Sequence, residues 1–292
     1  MRTFYILAAL FIGMCFEACN IINPKEPIPT YVHIDSFQFV PGNHNIEGSS
    51  SHKITCAWVY YNNNPIGVFD LPATVPVITN GNSGLISIIP GITVDGLNGY
   101  QSQYPFYAGD SATITSTPGQ IITYLPKARY SSAAKFNFIA DFENGNDFHS
   151  IIGDTGIVRV TDPSMVFEGT GSGYIDLLTP NDSTVSVYQT SYTFPSGQGY
   201  IEINYRSNTL FYVGVEVFAS DDKIILTSTP DYIIGINPSA NWNKMYISLS
   251  DMSSKYLSLF PGSRFRLAIK AVVQDGQSSG YVLLDNIKYI TY

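Results

Sequence analysis

Charge is scarce in this chain. Asp, Glu, Lys and Arg make up 13% of its 292 residues, against about 25% in an ordinary soluble protein. Gly, Pro, Ser, Thr and Asn are plentiful and aromatics reach 14%, a composition of many short strands joined by turns instead of helices. The net charge of −8 argues against a nucleic-acid backbone as partner. Cysteine is nearly absent: Cys15 and Cys19 sit at the N-terminus, and Cys56 stands alone in the rest. The four histidines, His33, His44, His52 and His149, have no ligand spacing, and there is no HExxH, GxSxG or phosphate loop. Gly169 to Gly173 is glycine-rich but leads into a strand, so it lacks the helix N-terminus that phosphate binding uses. Glu143, Glu168, Glu202 and Glu216 are available as paired carboxylates for glycoside hydrolysis. Glu202, however, alternates as a solvent-face residue, and no catalytic set is expected.

The one long apolar run lies at the start. Arg2 precedes Phe4 to Met14, which is too short to cross a bilayer at about 20 residues and fits the core of a secretory signal. Phe16-Glu17-Ala18-Cys19 resembles the lipobox of bacterial lipoproteins, with Phe16 and Glu17 departing from the usual residues. The resemblance implies a signal peptide over 1–18, lipidation at Cys19 and a proline-bearing tether over 19–30 (Pro24, Pro27, Pro29). A plain signal cut near Ala18, leaving a free Cys19 thiol, is the alternative. The expected location is the outer membrane, lipid-anchored, with the cell surface favoured over the periplasmic face. Cys56, within the apolar run Ile54 to Val59, reads as a small buried hydrophobe.

From residue 31 to 130 short strands follow one another with turn punctuation such as Asn62-Asn63-Asn64-Pro65 and Pro90-Gly91. The expectation is an immunoglobulin-like β-sandwich. Ala57-Trp58-Val59-Tyr60, Pro65 to Pro72 and Tyr104-Pro105-Phe106-Tyr107 resemble an N-terminal domain of Bacteroidetes lipoproteins, a likeness that implies little about function. Trp58 reads as a core residue, and Tyr104 to Tyr107 as an aromatic loop, either on the surface or folded back onto the sandwich. The polar, small-residue segment after Tyr130 marks a domain boundary.

From 136 to 292 about ten strands with no long helix indicate a jelly roll; the fold class is all-β, an Ig-like sandwich followed by a jelly-roll sandwich. Leu249 to Phe260 has room for one helical turn. Asp141-Phe142-Glu143, Phe167 to Ile175, Asn241 to Ile247 and Gly280 to Ile287 resemble the jelly roll of carbohydrate-binding modules and galactose-binding-like domains. That resemblance implies a structural calcium tying the first strand to the last, with Glu143 and Asp285 as ligands and Asp141 as a weaker one. Alternatively, Asp285 and Asn286 form a turn. It also implies glycan binding without catalysis, through some of the tyrosines of this half (Tyr188, Tyr192, Tyr205, Tyr212, Tyr232 and Tyr256). The competing reading is an accessory or structural subunit of an outer-membrane protein complex, docking through the sandwich face.

Overall fold

The computed structural model describes residues 26–221, 223–225 and 229–292. Cys15, Cys19, the signal segment and the first part of the tether lie outside the described residues.

In the N-terminal half, a five-stranded sheet runs Asn64–Asp70, Cys56–Tyr61, Gly84–Thr93, Gln101–Gln103, with Asp110–Ile114 also paired to Gly84–Thr93. Two three-stranded sheets complete the sandwich, one centred on Thr30–Ile34 and one on Lys127–Tyr130. Period-two alternation places Val32, Ile34, Val75 and Val77 against Ala57, Val59, Ile86 and Ile88 in one core. Cys56 is fully buried, and burial pushes its thiol up to about 11. Trp58 does not join this core. Strand alternation turns it to the opposite face of its sheet, half-buried, with its indole N–H unpaired. A one-turn helix, His44–Glu47, capped by Asn43, is an addition that the residue pattern did not reveal.

The C-terminal half is two sheets of six strands. The first runs Val158–Val160, Ser172–Leu177, Gly280–Thr291, Gly199–Ser207, Ser239–Ser248, with Lys135–Ala140 also on Gly280–Thr291. The second runs Phe148–Ile152, Ser183–Tyr188, Arg264–Val272, Phe211–Phe218, Asp231–Ile236, with Tyr192–Thr193 also on Arg264–Val272. Phe211, Val213, Val215 and Val217 alternate inward, opposite Phe265, Leu267, Ile269 and Ala271 of the neighbouring strand. Ile201, Ile203, Leu284 and Ile287 supply the facing layer. Ser250–Leu259 is a ten-residue helix, more than the single turn expected, with Tyr256 seated in the core. Among the described residues, Lys223 to Ile225 folds back on the end of Phe211–Phe218 through the isolated bridge Phe218–Ile224, with the Ile225 amide donating to the Val217 carbonyl at 2.8 Å and the Ala219 amide to the Lys223 carbonyl at 2.7 Å.

The two halves are joined by more than the connection at 131–134. A third apolar cluster takes Ile92, Val94, Tyr104, Phe106, Tyr107 and Tyr130 from the first half and Tyr200, Tyr246 and Ile290 from the second. Val94 and Tyr246 form a parallel bridge, the Asp95 amide donates to the Tyr246 carbonyl at 2.9 Å, and Asp95 Oδ1 accepts from the Ser248 amide at 2.8 Å. Tyr104 to Tyr107 is thus no exposed aromatic loop. Its rings fill the joint, where burying their faces against Tyr200 and Tyr246 removes them from water.

Candidate functional site

Three places gather polar or aromatic side chains: the joint between the domains, the junction of the first and last jelly-roll strands, and the outer face of the second sheet.

At the joint, the strand Gly199–Ser207 turns Tyr200, Glu202 and Asn204 away from its own core. The sequence pattern assigned that face to solvent. It is instead covered by the N-terminal domain, and Glu202 has no exposed surface. Its carboxylate lies 2.7 Å from Lys244 Nζ and accepts from the hydroxyls of Tyr104 and Tyr130, each at 2.8 Å. Lys288 Nζ donates to the Ser49 carbonyl at 2.6 Å and to Tyr130 Oη at 3.2 Å. Burial would raise the Glu202 carboxyl, but the charges of Lys244 and Lys288 and the hydrogen bonds from Lys244 and Tyr104 outweigh it and hold it low. Burial and the Glu202 charge drive Tyr104 and Tyr130 far above the ordinary phenol range. Such a centre, sealed from water on every side, clamps the domains. The tyrosines of 104–107 are its one mark in the residue pattern, and nothing there marks its depth.

At the strand junction, Asp285 is almost wholly buried. Its Oδ2 accepts from Ser172 Oγ at 2.6 Å and its Oδ1 from the Asn286 amide at 2.7 Å. Burial pushes its carboxyl up to about 7 against those two bonds, and the charges of Glu168 and Glu143 push the same way. Glu143 reaches the loop before Ser172–Leu177, where it accepts from the Thr170 amide at 2.9 Å and the Thr170 hydroxyl at 2.7 Å. Those bonds, with one from Gly171, hold its carboxyl below the usual range although burial opposes them. Asp141 is spent on its own turn, accepting from the Glu143 amide at 3.1 Å. Asn286 takes a left-handed φ of 47° at a bulge in the pairing of the last strand with Gly199–Ser207. Asn286 Nδ2 donates to Glu168 at 3.1 Å.

Two residues here escaped the sequence reading as parts of this site. Glu168 joins Glu143 and Asp285 as a third carboxylate. Arg159 donates to the carbonyls of Phe142 and Glu143, the latter at 3.0 Å, and to Thr170. Among the described residues no three His, Cys, Asp or Glu side chains converge tightly enough to hold a metal. The donor set fits calcium in kind, with hard carboxylate and carbonyl oxygens, and the buried Asp285 is short of positive charge. The Arg159 guanidinium already faces the carbonyls that such an ion would draw on.

On the second sheet, alternation turns Tyr212, Gly214, Glu216, Arg266 and Lys270 outward. Tyr212 and Tyr232 lie 5.7 Å apart at 56°, and Lys270 Nζ sits between them, 5.8 and 5.6 Å from their ring centres. Gly214 makes room for this pair: a Cβ there would stand 2.8 Å from the Tyr232 ring. Beside them Arg266 Nε pairs with Glu216 at 2.8 Å, and the guanidinium lies 4.9 Å over Phe218. The hydroxyl of Tyr232 is shielded and unpaired. This row offers half-buried rings, an amine and an acid–base pair on one surface, the means by which proteins grip polyhydroxylated rings.

These features define an all-β chain of two clamped sandwiches with a polar, aromatic row on the outer face of the last sheet. No family model matches it, and no curated protein does. Solved structures similar to it include carbohydrate-binding modules of β-sandwich type. One, from a study of promiscuous specificity in such modules, is 13% identical, with 81% of this chain and 85% of that chain covered and a TM-score of 0.37. The family 30 module of a cellulosomal cellulase of Clostridium thermocellum is 16% identical over 53% of this chain and 90% of its own, TM-score 0.35. The K1 cleaved adhesin domain of Lys-gingipain from Porphyromonas gingivalis W83 is 13% identical over 52% and 96%, TM-score 0.36.

Proposed function

We propose that this protein is a non-catalytic, lipid-anchored envelope protein that binds glycan through the outer face of the second jelly-roll sheet. The observation that carries the reading is the Tyr212–Lys270–Tyr232 row beside the Arg266–Glu216 pair. Rings stack on the apolar face of a pyranose, while the amine and carboxylate serve its hydroxyls. Cys19, preceded by Ala18, is the anchor, and the chain stands on the outer membrane with its surface side favoured.

A structural calcium at Glu143 and Asp285, with its remaining oxygens drawn from backbone carbonyls, belongs to the same proposal. It would relieve the charge that burial leaves uncompensated at Asp285 and tie the last strand to the loop that Glu143 holds.

Glycan-array binding of the full mature chain tests the function, with Tyr212→Ala and Tyr232→Ala as probes. Binding of one glycan class that both variants weaken supports it. A silent array together with stoichiometric retention of a membrane protein from solubilised outer membranes would replace it with a subunit role.

A further inference from the structure

The domains leave a cleft along one side of their joint, with a volume of about 660 Å³, within the span of about 300–1,000 Å³ usual for small-ligand sites. The N-terminal domain contributes Asp95, Tyr100 and Gln103, and the jelly roll contributes Gln198, Tyr200 and Asp251. A third wall is Ile233 to Gly235, part of Asp231–Ile236, which ends its sheet. Neither domain makes this cleft alone.

Its chemistry narrows the ligand. The charged side chains lining it are Asp95 and Asp251, with no Lys, Arg or His among them, so an anion meets only repulsion. Asp95 commits Oδ1 to the Ser248 amide and keeps Oδ2 free to accept. Burial raises the Asp95 carboxyl against that bond, and the neighbouring Asp251 charge adds to the rise. Tyr100 is 56% exposed, whereas Tyr104 and Tyr107 are 1% and 5% exposed. Its ring therefore presents a flat face that the fold does not use. Gln198 and the Ser250 hydroxyl add neutral hydrogen-bonding groups beside it.

The walls are also held in place. The Asp95–Ser248 bond and the Val94–Tyr246 bridge cross from one domain to the other at the cleft, and the Glu202 centre lies two residues beyond Tyr200. A ligand entering here spends little on ordering its site.

We infer that this interdomain cleft is a second saccharide site, taking a neutral oligosaccharide whose ring packs on Tyr100 and whose hydroxyls donate to Asp95 and Asp251. The inference rests on the glycan reading above and adds a place and a ligand class to it.

The test uses the full mature chain and a panel of neutral cello-, manno- and galacto-hexasaccharides, with oligogalacturonate as the anionic counterpart. Tyr100→Ala and Asp251→Asn, both at exposed positions, should each weaken binding of the neutral probe roughly tenfold, as for a central contact residue. The probe should also slow hydrogen exchange across residues 95–103 in the unaltered chain. Preference for oligogalacturonate overturns the inference. So does loss of binding in Tyr212→Ala with none in Tyr100→Ala and Asp251→Asn, which leaves the outer-sheet reading standing. Failure of every probe overturns both.

Discussion

Glu202 and Lys244 face each other at 2.7 Å on neighbouring strands, with 0% and 2% of their side chains exposed. They are paired on a sheet face that the N-terminal domain covers, so the energy of this ion pair is tied to domain docking.

Removing the acid should therefore be costly. Glu202→Gln keeps the shape but strands the charges of Lys244 and Lys288, a loss of about 3–5 kcal/mol for a broken buried pair. Tyr104→Phe, which deletes one hydrogen bond to the same carboxylate, should cost only about 1–3 kcal/mol. Urea unfolding of the two variants checks the order, and equal losses would contradict the arrangement.

Lys288 gives a pH signature. Burial lowers its amine from 10.5 to about 8, with the Glu202 charge opposing and the Lys244 charge assisting. Below pH 8 both folded and unfolded chains carry the proton. Between about 8 and 10.5 the unfolded chain binds a proton that the folded chain has lost, so raising the pH favours folding through this group. The stability of the natural chain relative to Lys288→Met should thus rise across that window, measured by urea midpoints at each pH. A flat difference would show that the amine is not depressed.

Calcium should raise the melting temperature of the natural chain, and chelator should reverse the rise. Glu143→Gln and Asp285→Asn should each abolish the response, while Asp141→Asn, whose carboxylate serves its own turn, should retain it. No shift in the natural chain would leave Arg159 as the cation that organises these carbonyls.

Separating the domains should expose what they share. Residues 136–292 alone would present Tyr200, Glu202, Tyr246 and Ile290 to water, an apolar and charged face that is now covered. Light scattering and urea unfolding should report self-association or a loss of stability relative to the whole chain. A monomer of undiminished stability would show that the joint contributes nothing.

The sandwich class was legible because alternation survives locally: Phe211, Val213, Val215 and Val217 read as one face, and they form one. Cys56 was legible for the same reason. Alternation divides a strand into two faces but does not say what covers the second, which is why Glu202 read as wet and Trp58 as core. The helix Ser250–Leu259 was under-read because its seating depends on Tyr256 entering a core built by distant strands. Arg159 carried no local mark at all; its carbonyl partners lie on two other segments. At the candidate glycan face, Tyr212 and Tyr232 were two tyrosines among 21 until the strand pairing set them side by side.

The first strand also decides how the molecule bears load. Thr30–Ile34 pairs in parallel with Ile121–Thr123 on one side and antiparallel with Ala73–Val77 on the other. A tug directed along the axis of this strand acts across its ladder bonds on both sides. Those bonds are stressed together in shear instead of being peeled one at a time. Pulled along its own axis, the strand that begins the fold is thus held by two ladders that must yield together.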